Sequence, residues 1–473
     1  MNHNKNQRFT FYLLIVLIIA PGRPIHPQIN FSKELPSGLS EYSITSIRDT
    51  AVEKKNVDKN FWLPAVEVAG LNFSVWAYHR YLSGEGWSNI NWETIKRNFK
   101  NGFEWDVDGY LMNQFWHPYN GSSYYNLARS NGLGFWESAP YTLGGSLMWE
   151  YFMENEPPSY NDIVNTPITG IILGEISFRV SNLIIDESTI GFERFLREFT
   201  STLINPMHGF NRMIRGDMWK DGAPRERENF NAVVSLGAHN VFFSKKINDG
   251  RSYAHLGIDL NYGDLFASSK HKNPFDYFSI HTEVNIGPGD NIVGIFAGGV
   301  VWDNNIKLFG STKNIVGIYK EIDILINTIY KLSATSVTGQ MINTVILSPS
   351  LSLVNSFGIS AILMGGTNSQ YASETGKDYN IGPGASAKAG FKIMIEDFGN
   401  ISINYKRYWI HTLSGADSEE FVGLLSAGIS YNLLTNVEFS VNVLLYERFG
   451  DYKYFPDTKT ANSALRIYVK QKL

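Results

Sequence analysis

Apolar and polar residues alternate along the C-terminal half of the chain, from about residue 230 to residue 473. In two of the clearest stretches the apolar positions are Leu256, Ile258, Leu260 and Tyr262, and Val437, Phe439, Val441, Val443 and Leu445. A period of two places alternate side chains on opposite faces of a sheet, so each stretch predicts a strand with one apolar face. Many such strands in succession predict an antiparallel, transmembrane-type β-barrel of about 10 to 12 strands, apolar outside and polar inside. We therefore assign residues 230–473 to a β-barrel domain.

Clusters of glycine, proline, asparagine and aspartate mark the expected turns between these strands. The clearest clusters are Asn248–Gly250, Gly287–Asp290, Gly365-Gly366, Gly382–Gly384 and Asp397–Asn400. No predicted helix follows either Gly-Pro-Gly cluster, so neither is interpreted as a phosphate-binding loop.

A second period, close to 3.6, runs through residues 61–217 and predicts an α-helical domain before the barrel. The expected helices are Trp62–Tyr81, Trp92–Phe99, Ser122–Asn131, Gly134–Phe152, Ile163–Ile185 and Phe192–Ile204. Gly144 and Gly145 in the fourth helix, and Gly170 and Gly174 in the fifth, favour a close approach of those two helices. The predicted fold is therefore α + β, with a helical domain followed by the barrel.

The first residues are typical of an export signal. Lys5 and Arg8 precede an apolar run from Phe11 to Ala20. A basic flank and a short apolar core form a signal peptide, whereas a helix that spans a bilayer needs about 20 apolar residues. We predict a signal peptide over residues 1–27, cut between Ala20 and Gln28, and a polar linker over residues 28–60.

Composition narrows the function classes. Only 18% of the residues are charged and the net charge is −4, which gives no basis for nucleic-acid binding. Aromatic residues make up 14%, which suits a barrel with aromatic girdles at two membrane interfaces. The chain has no cysteine, which excludes disulfides, thiolate metal sites and a cysteine nucleophile. The ten histidines are scattered, so neither a metal nor another cofactor is expected.

Polar residues set among apolar helical positions form the candidate binding or structural cluster. These are His117, Tyr124, Asn126, Arg129, Glu150, Asp162, Glu175 and Arg179. Glu175 and Arg179 are four residues apart and are expected to pair on one helical face. We predict that His117, Arg129, Glu150 and Asp162 converge, because separate burial leaves several polar groups without partners.

Two interpretations of this cluster remain open. In one, its members form a hydrogen-bonded network that ties the helices together. In the other, His117 is a general base oriented by Asp162 or Glu150, and Ser122, Ser123 or a water molecule is the nucleophile. In the barrel, His255 with Asp259 and His281 with Glu283 are interpreted as hydrogen-bonded pairs of the lumen.

A further pattern carries a family resemblance. Asn113 to Gly121, then Tyr124-Tyr125-Asn126 and Ala128 to Gly132, resemble the signature of an uncharacterised exported family of Gram-negative bacteria, domain of unknown function 3943. Pro157-Pro158-Ser159 with Asn161-Asp162, Gly174-Glu175 with Arg179, and Asn205-Pro206 with Gly209 to Arg212 are also similar to that family. The resemblance covers about residues 62–216 and implies an envelope protein, without an established activity or catalytic residues.

Together these observations predict a barrel in the outer membrane with a periplasmic helical domain, and outer-membrane lipid as its surroundings. Its role is structural, binding or pore-like, with an unidentified small-molecule or lipid ligand. The alternative is a membrane-interface hydrolase that acts on lipid or lipopolysaccharide, which requires a serine within hydrogen-bonding reach of His117, His255 or His281. The helices are interrupted by Glu, Asn and Gly, so we expect that they do not face lipid.

Overall fold

The computed structural model describes residues 59–106, 108–223, 228–243, 250–267, 271–306 and 312–473. The predicted signal peptide and almost all of the predicted linker lie outside these ranges. Two compact units make up the described chain. One comprises the helical residues 59–104 and 117–228, and the other comprises the barrel together with residues 105–116.

Seven α-helices lie in the described residues of the first unit. They are α1 (Trp62–Tyr78), α2 (Trp92–Asn101), α3 (His117–Ser130), α4 (Phe135–Phe152), α5 (Tyr160–Ile184), α6 (Gly191–Ile204) and α7 (Pro206–Ile214). A π-helical turn, His79–Ser83, extends α1, and another, Met112–Trp116, directly precedes α3. Within the described ranges, no α-helix combines the length and the hydropathy needed to cross a bilayer.

Side-chain caps explain where several helices begin. The Asn91 side chain accepts hydrogen bonds from the first turn of α2, and Thr94 Oγ1 in turn accepts one from Asn91 N. Ser159 accepts a hydrogen bond from Asp162 N at the start of α5, and Asn205 accepts one from His208 N at the start of α7. These oxygen atoms satisfy backbone N–H groups that have no partner within the helix.

The closest helix contact joins α3 to α5. A Cβ atom built on Gly170 would lie 2.7 Å from the Cα of Gly121, so both positions require glycine. Gly174 lies against the Tyr125 ring, and Gly145 of α4 lies against the Tyr124 ring. The sequence predicted a close approach of α4 and α5 through their glycines, but α3, rather than α4, is the backbone partner of α5, and a Cβ on Gly144 would meet nothing within 4 Å.

The second unit is a closed antiparallel barrel of twelve strands, which confirms the predicted fold class. The strands are β1 (Phe230–Phe242), β2 (Gly250–Tyr262), β3 (Phe278–Ile286), β4 (Ile292–Ile306), β5 (Thr312–Ile326), β6 (Lys331–Ser348), β7 (Leu351–Asn368), β8 (Tyr379–Ile395), β9 (Gly399–His411), β10 (Ser418–Leu434), β11 (Val437–Tyr452) and β12 (Thr458–Lys472). Each strand pairs with its sequence neighbours, and β1 pairs with β12. Closure leaves no unpaired edge.

Two predicted turns are wrong. Gly365 and Gly366 lie within β7, and Gly382 to Gly384 lie within β8. The β7–β8 register shifts between Ile362 and Gly365, and a Cβ on Gly382 or Gly384 would meet the β9 backbone at 1.9 Å. These glycines therefore permit a bulge and close strand contact rather than a reversal of the chain.

Strand pairing assigns the two faces of the barrel wall. Leu256 and Ile258 point outward, while His255 and Asp259 point into the lumen, where they bond other inward side chains. Val443 is likewise outward and half exposed, whereas Leu444 and Tyr446 are buried inside. The predicted alternation therefore holds: the outer face is apolar and most lumen positions are polar.

Residues 105–116 belong to the barrel unit and cover part of its outer wall. Tyr110 N donates to Asp378, Asn113 Nδ2 donates to the Tyr379 hydroxyl at 2.9 Å, and Ser333 Oγ donates to Gln114 Oε1 at 2.9 Å. Ser333 and Tyr379 are outward residues, yet both are buried. The start of the family-like signature therefore packs on the wall formed by β6 to β8.

Candidate functional site

The helical unit encloses charged side chains around Glu175 of α5, which is fully buried. Arg129 Nε donates to Glu175 Oε2 at 2.8 Å, and Arg179 Nε donates to Glu175 Oε1 at 2.7 Å. The Tyr125 hydroxyl donates to Oε2 at 2.8 Å. A buried carboxylate is stable only when it is paired and hydrogen-bonded, and Glu175 meets both conditions.

A second group of predicted residues gathers at the start of α5. His117 Nε2 lies 3.7 Å from Asp162 Oδ1. Glu150 Oε2 accepts a hydrogen bond from Ser159 N at 2.7 Å, and Ser159 also caps Asp162. His117, Glu150 and Asp162 therefore share one region of the bundle.

The predicted convergence of four residues is only partial. Asp162 and Glu175 lie thirteen positions apart on α5, which corresponds to about 20 Å along the helix axis. Arg129 bonds Glu175, so it lies at a different level from His117 and Asp162. The remaining two predicted residues bond elsewhere: the Tyr124 hydroxyl donates to Asn72, and Asn126 Nδ2 donates to Ser177.

A third buried charge group was not expected from the sequence. Arg212 Nη2 of α7 donates to Glu198 Oε1 of α6 at 2.8 Å, and Arg194 also reaches Glu198. Partial burial raises the pKa of nearby Asp217, but Lys220 and Arg215 outweigh that effect and hold the pKa below its usual range. The spacing of Arg194 and Glu198, four positions within a helix, was the available signal.

The barrel lumen holds a further set of charges that cross from strand to strand. Arg466 of β12 forms a double hydrogen bond with Glu283 of β3, and Arg466 Nη2 lies 2.9 Å from Glu283 Oε1. His281 joins this group through Asp259 at 2.5 Å and Glu283 at 3.4 Å. His281 thus pairs with Glu283 as expected, whereas Asp259 binds His281 and not His255.

His255 instead connects a serine to an asparagine. Ser235 Oγ lies 3.2 Å from His255 Nε2, and Asn285 Oδ1 lies 2.8 Å from His255 Nδ1. All three side chains point into the lumen and are no more than 4% exposed. This is the serine contact that the hydrolase alternative requires, but it lies on the lumen side of the barrel rather than on its outer surface.

The lumen contains a cavity of about 210 Å³, and the strands from β3 to β9 contribute most of its lining residues. Two acids and two lysines line it: Glu321, Asp323, Lys388 and Lys406. Lys388 Nζ lies 2.8 Å from Glu321 and 2.6 Å from Asp323, and Lys406 lies 3.6 Å from the centre of the Phe296 ring. The four charges therefore balance, and Gln340, Ser356 and Asn404 add neutral polar groups.

A layer of apolar and tyrosine side chains fills the lumen near the end where the β5–β6 and β9–β10 turns lie; we call it the constriction layer. Its members come from ten strands and from the β5–β6 turn, and each is at most 4% exposed: Val241, Tyr253, Ile292, Leu325, Tyr330, Leu332, Ala334, Ile362, Tyr408, Ile410, Val422, Leu444, Tyr446 and Ala464. The Tyr330 hydroxyl donates across the lumen to Gly423 O at 3.3 Å. Towards the other end, where β1 begins, the inward residue Asn404 stays exposed.

Sequence reasoning did not single out Arg466, Lys388, Asp323 or Tyr330, although each occupies an inward position of its predicted strand or turn. Acids and bases at inward positions were the available signal, but the period of two does not specify which strands face each other across the lumen. Across the described ranges, no group of three or more His, Asp or Glu side chains is arranged to hold a metal ion.

Comparison with known proteins gives one family and a set of barrels. The family model described as "Domain of unknown function (DUF3943)" matches residues 102–207, which confirms the resemblance over that stretch. No curated protein is significantly similar to the chain.

Among solved structures, similar chains are the KdgM porin (11% identical, 50% of this chain, 98% of that chain, TM-score 0.23) and the NanC porin (10%, 50%, 100%, 0.27). The COG4313 outer membrane channel from Pseudomonas putida F1 is 9% identical over 54% of this chain and 100% of that chain, with a TM-score of 0.26. At these TM-scores the likeness adds nothing to the barrel fold that the strand pairing establishes.

Proposed function

We propose that this chain, which carries domain of unknown function 3943 over residues 102–207, forms an outer-membrane β-barrel that holds a small polar solute in its lumen. Its twelve strands are 9 to 18 residues long, against about 9 to 11 needed to cross a bilayer at a tilt. Outward side chains such as Leu236, Phe357 and Ile359 are apolar and exposed. An apolar outer face around a polar interior favours lipid as the surroundings of the barrel.

The constriction layer distinguishes this barrel from a permanently open pore. Water-filled barrels have polar interiors along their whole length, whereas here apolar and tyrosine side chains fill one level. The lumen is thus closed near the end that holds the β5–β6 and β9–β10 turns, and it is open towards the end where β1 begins. We infer that passage through the barrel, where it occurs, requires displacement of Tyr330 and Tyr446.

The cavity lining gives the class of solute, and it is the observation that carries the proposal. Lys388 and Lys406 are matched by Glu321 and Asp323, so the cavity has no net charge from these groups. A charged solute would leave one of these buried groups without its counter-charge, which is costly. A small solute without net charge, rich in hydrogen-bonding groups, fits this lining.

Conductance tests the occlusion. The full-length protein, purified from the outer-membrane fraction and placed in planar bilayers, is expected to show little steady conductance. A Tyr330→Ala, Tyr446→Ala double variant is expected to conduct, because the substitutions open the constriction layer. Phe439→Ala, which shortens an outward side chain, is the matched control. Steady conductance of the unaltered protein, or a folded double variant that stays closed, would contradict the proposal.

Equilibrium binding tests the solute class, with sucrose and glycine as probes without net charge and succinate and spermidine as charged probes. Sucrose or glycine should bind more tightly than either charged probe, and Gln340→Ala should weaken that binding. Gln471→Ala is the control, since Gln471 does not line the cavity. Preference for succinate or spermidine would reject a solute without net charge, and equal effects of both substitutions would reject this cavity as the site.

The hydrolase alternative receives no comparable support. Ser235 points into the lumen, but it is only 4% exposed and does not line the lumen cavity. In the helical unit, the Ser122 and Ser123 hydroxyls donate to the Tyr119 carbonyl within their own helix. We therefore assign the serine contacts of both units to structure.

A further inference from the structure

The helical unit has an unusual distribution of side chains: several of its helices bury polar residues and expose apolar ones. Helix α4 illustrates this pattern. Its buried face includes Ser138, Thr142, Ser146 and Glu150. Its exposed side chains include Trp136, Leu143 and Phe152, which are 60%, 44% and 40% exposed. A helix on the surface of a soluble protein shows the opposite arrangement.

Helices α6 and α7 repeat the inversion. Phe192, Phe195 and Phe199 form an exposed stacked row on α6, with ring centres 6.2 Å and 5.8 Å apart. On the inner side of the same helix, Glu198 and Ser201 are buried. In α7, the exposed side chains are Phe210, Met213 and Ile214, and the buried ones are His208, Asn211 and Arg212.

Helix α1 follows the same pattern. Trp62, Val66 and Phe73 are exposed by 84%, 68% and 58%. Asn72 is buried and donates to the Gly145 carbonyl. The acidic side chain of α1, Glu67, accepts hydrogen bonds from Asn131 and Asn211, so it is directed into the bundle and away from the surface.

Exposed charges have a restricted distribution. In α1, α3, α4 and α5, all fully described, the charged side chains are buried or half-buried; Glu137, whose side chain is 35% exposed, lies in the first turn of α4 and pairs with Lys59. Apart from Glu228, which directly precedes β1, the exposed acids and bases of this unit lie in α2, in the first turn of α6 and in the segments next to the other helices: Lys59, Arg80, Glu85, Glu93, Lys96, Arg97, Lys100, Glu104, Glu156, Glu193, Lys220 and Asp221. We call the exposed apolar surface of α1, α4, α6 and α7 the apolar belt, and the residues just named the charged rims.

We propose that the apolar belt contacts the acyl chains of a lipid bilayer, with the charged rims at the polar interfaces. In hydrocarbon, every polar group must be satisfied inside the protein, and ionisable side chains face the bundle interior and pair there. Glu175, Glu198, Arg212 and Glu67 all do this. A protein partner would account for one apolar face but not for polar interiors beneath four separate helix faces.

From the sequence we expected that the glutamates, asparagines and glycines would keep these helices away from lipid. The burial of those residues leads to the opposite conclusion. Those residues lie on the inner sides of the helices. Glycine serves close packing of α3 on α5, as small residues do between helices in membranes. The polar residues therefore interrupt the helices in sequence but not on the apolar belt.

Single cysteines give a direct test, because the chain contains none. Leu143→Cys and Phe195→Cys place a fluorophore on the apolar belt, and Arg97→Cys and Lys220→Cys place it on the charged rims. The full-length protein is reconstituted in phosphatidylcholine vesicles. Nitroxide groups on the acyl chains should quench the belt labels, and iodide in the water should quench the rim labels.

Two results would overturn the proposal. Iodide quenching of the belt labels, equal to that of the rim labels, would place the belt in water. Protection of the belt labels from both quenchers would assign the belt to a protein partner or a second copy of the chain. Trp136→Cys replaces either belt variant that fails to fold, as judged by the heat-sensitive gel mobility of the barrel.

Discussion

At the scale of single residues, Glu175 illustrates how this protein handles buried charge. Its two carboxylate oxygens are shared by two arginines and a tyrosine, and none of its surface is exposed. The sequence identified the pair with Arg179, which is local on one helix. Arg129 and Tyr125 come from α3, and their part depends on the close packing of α3 on α5.

We expect Glu175→Gln to destabilise the protein by about 3–5 kcal/mol, because two guanidinium groups lose their buried counter-charge. Glu193→Gln is the matched control: Glu193 pairs with Arg197 four positions away on an exposed surface, and such pairs contribute about 0.2–1 kcal/mol. Urea unfolding in detergent, followed by near-ultraviolet circular dichroism, measures both. Equal and small losses for the two variants would show that the Glu175 group is not an essential ion-pair network.

At the scale of elements, glycine decides how the helices pack. Gly121 of α3 and Gly170 of α5 approach so closely that neither tolerates a Cβ without movement of the other backbone. Gly144 in α4 belongs to the same sequence pattern, but a Cβ there would meet nothing within 4 Å. Spacing alone does not distinguish a packed glycine from a free one.

Gly170→Ala and Gly144→Ala therefore separate the two roles. Overpacking at residue 170 should cost about 1–3 kcal/mol or prevent folding. Alanine at residue 144 should be neutral or stabilise the protein by up to about 1 kcal/mol, because glycine is a poor helix former. Melting temperatures of the purified variants provide the comparison, and a destabilised Gly144→Ala with a neutral Gly170→Ala would contradict the α3–α5 contact.

At the scale of the whole molecule, the barrel separates two environments. Its outer wall carries apolar side chains such as Val443 and Ile359, while ion pairs such as Arg466 with Glu283 lie inside. A period of two produces this separation only when the sheet closes, since closure gives every strand one lumen face and one outer face.

An arginine on the outer wall tests whether that wall faces lipid. Val443→Arg, near the middle of β11, should lower stability by about 2–4 kcal/mol in vesicles, as a charge at the bilayer midplane does. Tyr454→Arg, at a side chain that is 71% exposed in the β11–β12 connection, is the control and should have little effect. The folded fraction is read from heat-sensitive gel mobility across a urea series, and equal stability of the two variants would indicate that the wall faces water.

The sequence by itself predicted six of the seven described α-helices, but not α7, and it specified the faces of the strands. Alternation of Leu256 and Ile258 with His255 and Asp259 specified an apolar and a polar side, because that period is local to each strand. The same local signals predicted the helices and the Glu175–Arg179 pair, and the motif from Asn113 to Gly121 indicated the family to which residues 102–207 are similar.

Tertiary structure decided which segments pair and which helix faces are buried, because a local period specifies neither. Pairing of β1 with β12 closed the barrel and brought Arg466 to Glu283, residues 183 positions apart. Packing of the helices turned Glu198 and Arg212 inward and left Phe195 and Trp136 outward. A helical period shows that a helix has two faces, but only the neighbours of that helix determine which face is buried. For this reason the apolar belt was not predicted from the local pattern of residues.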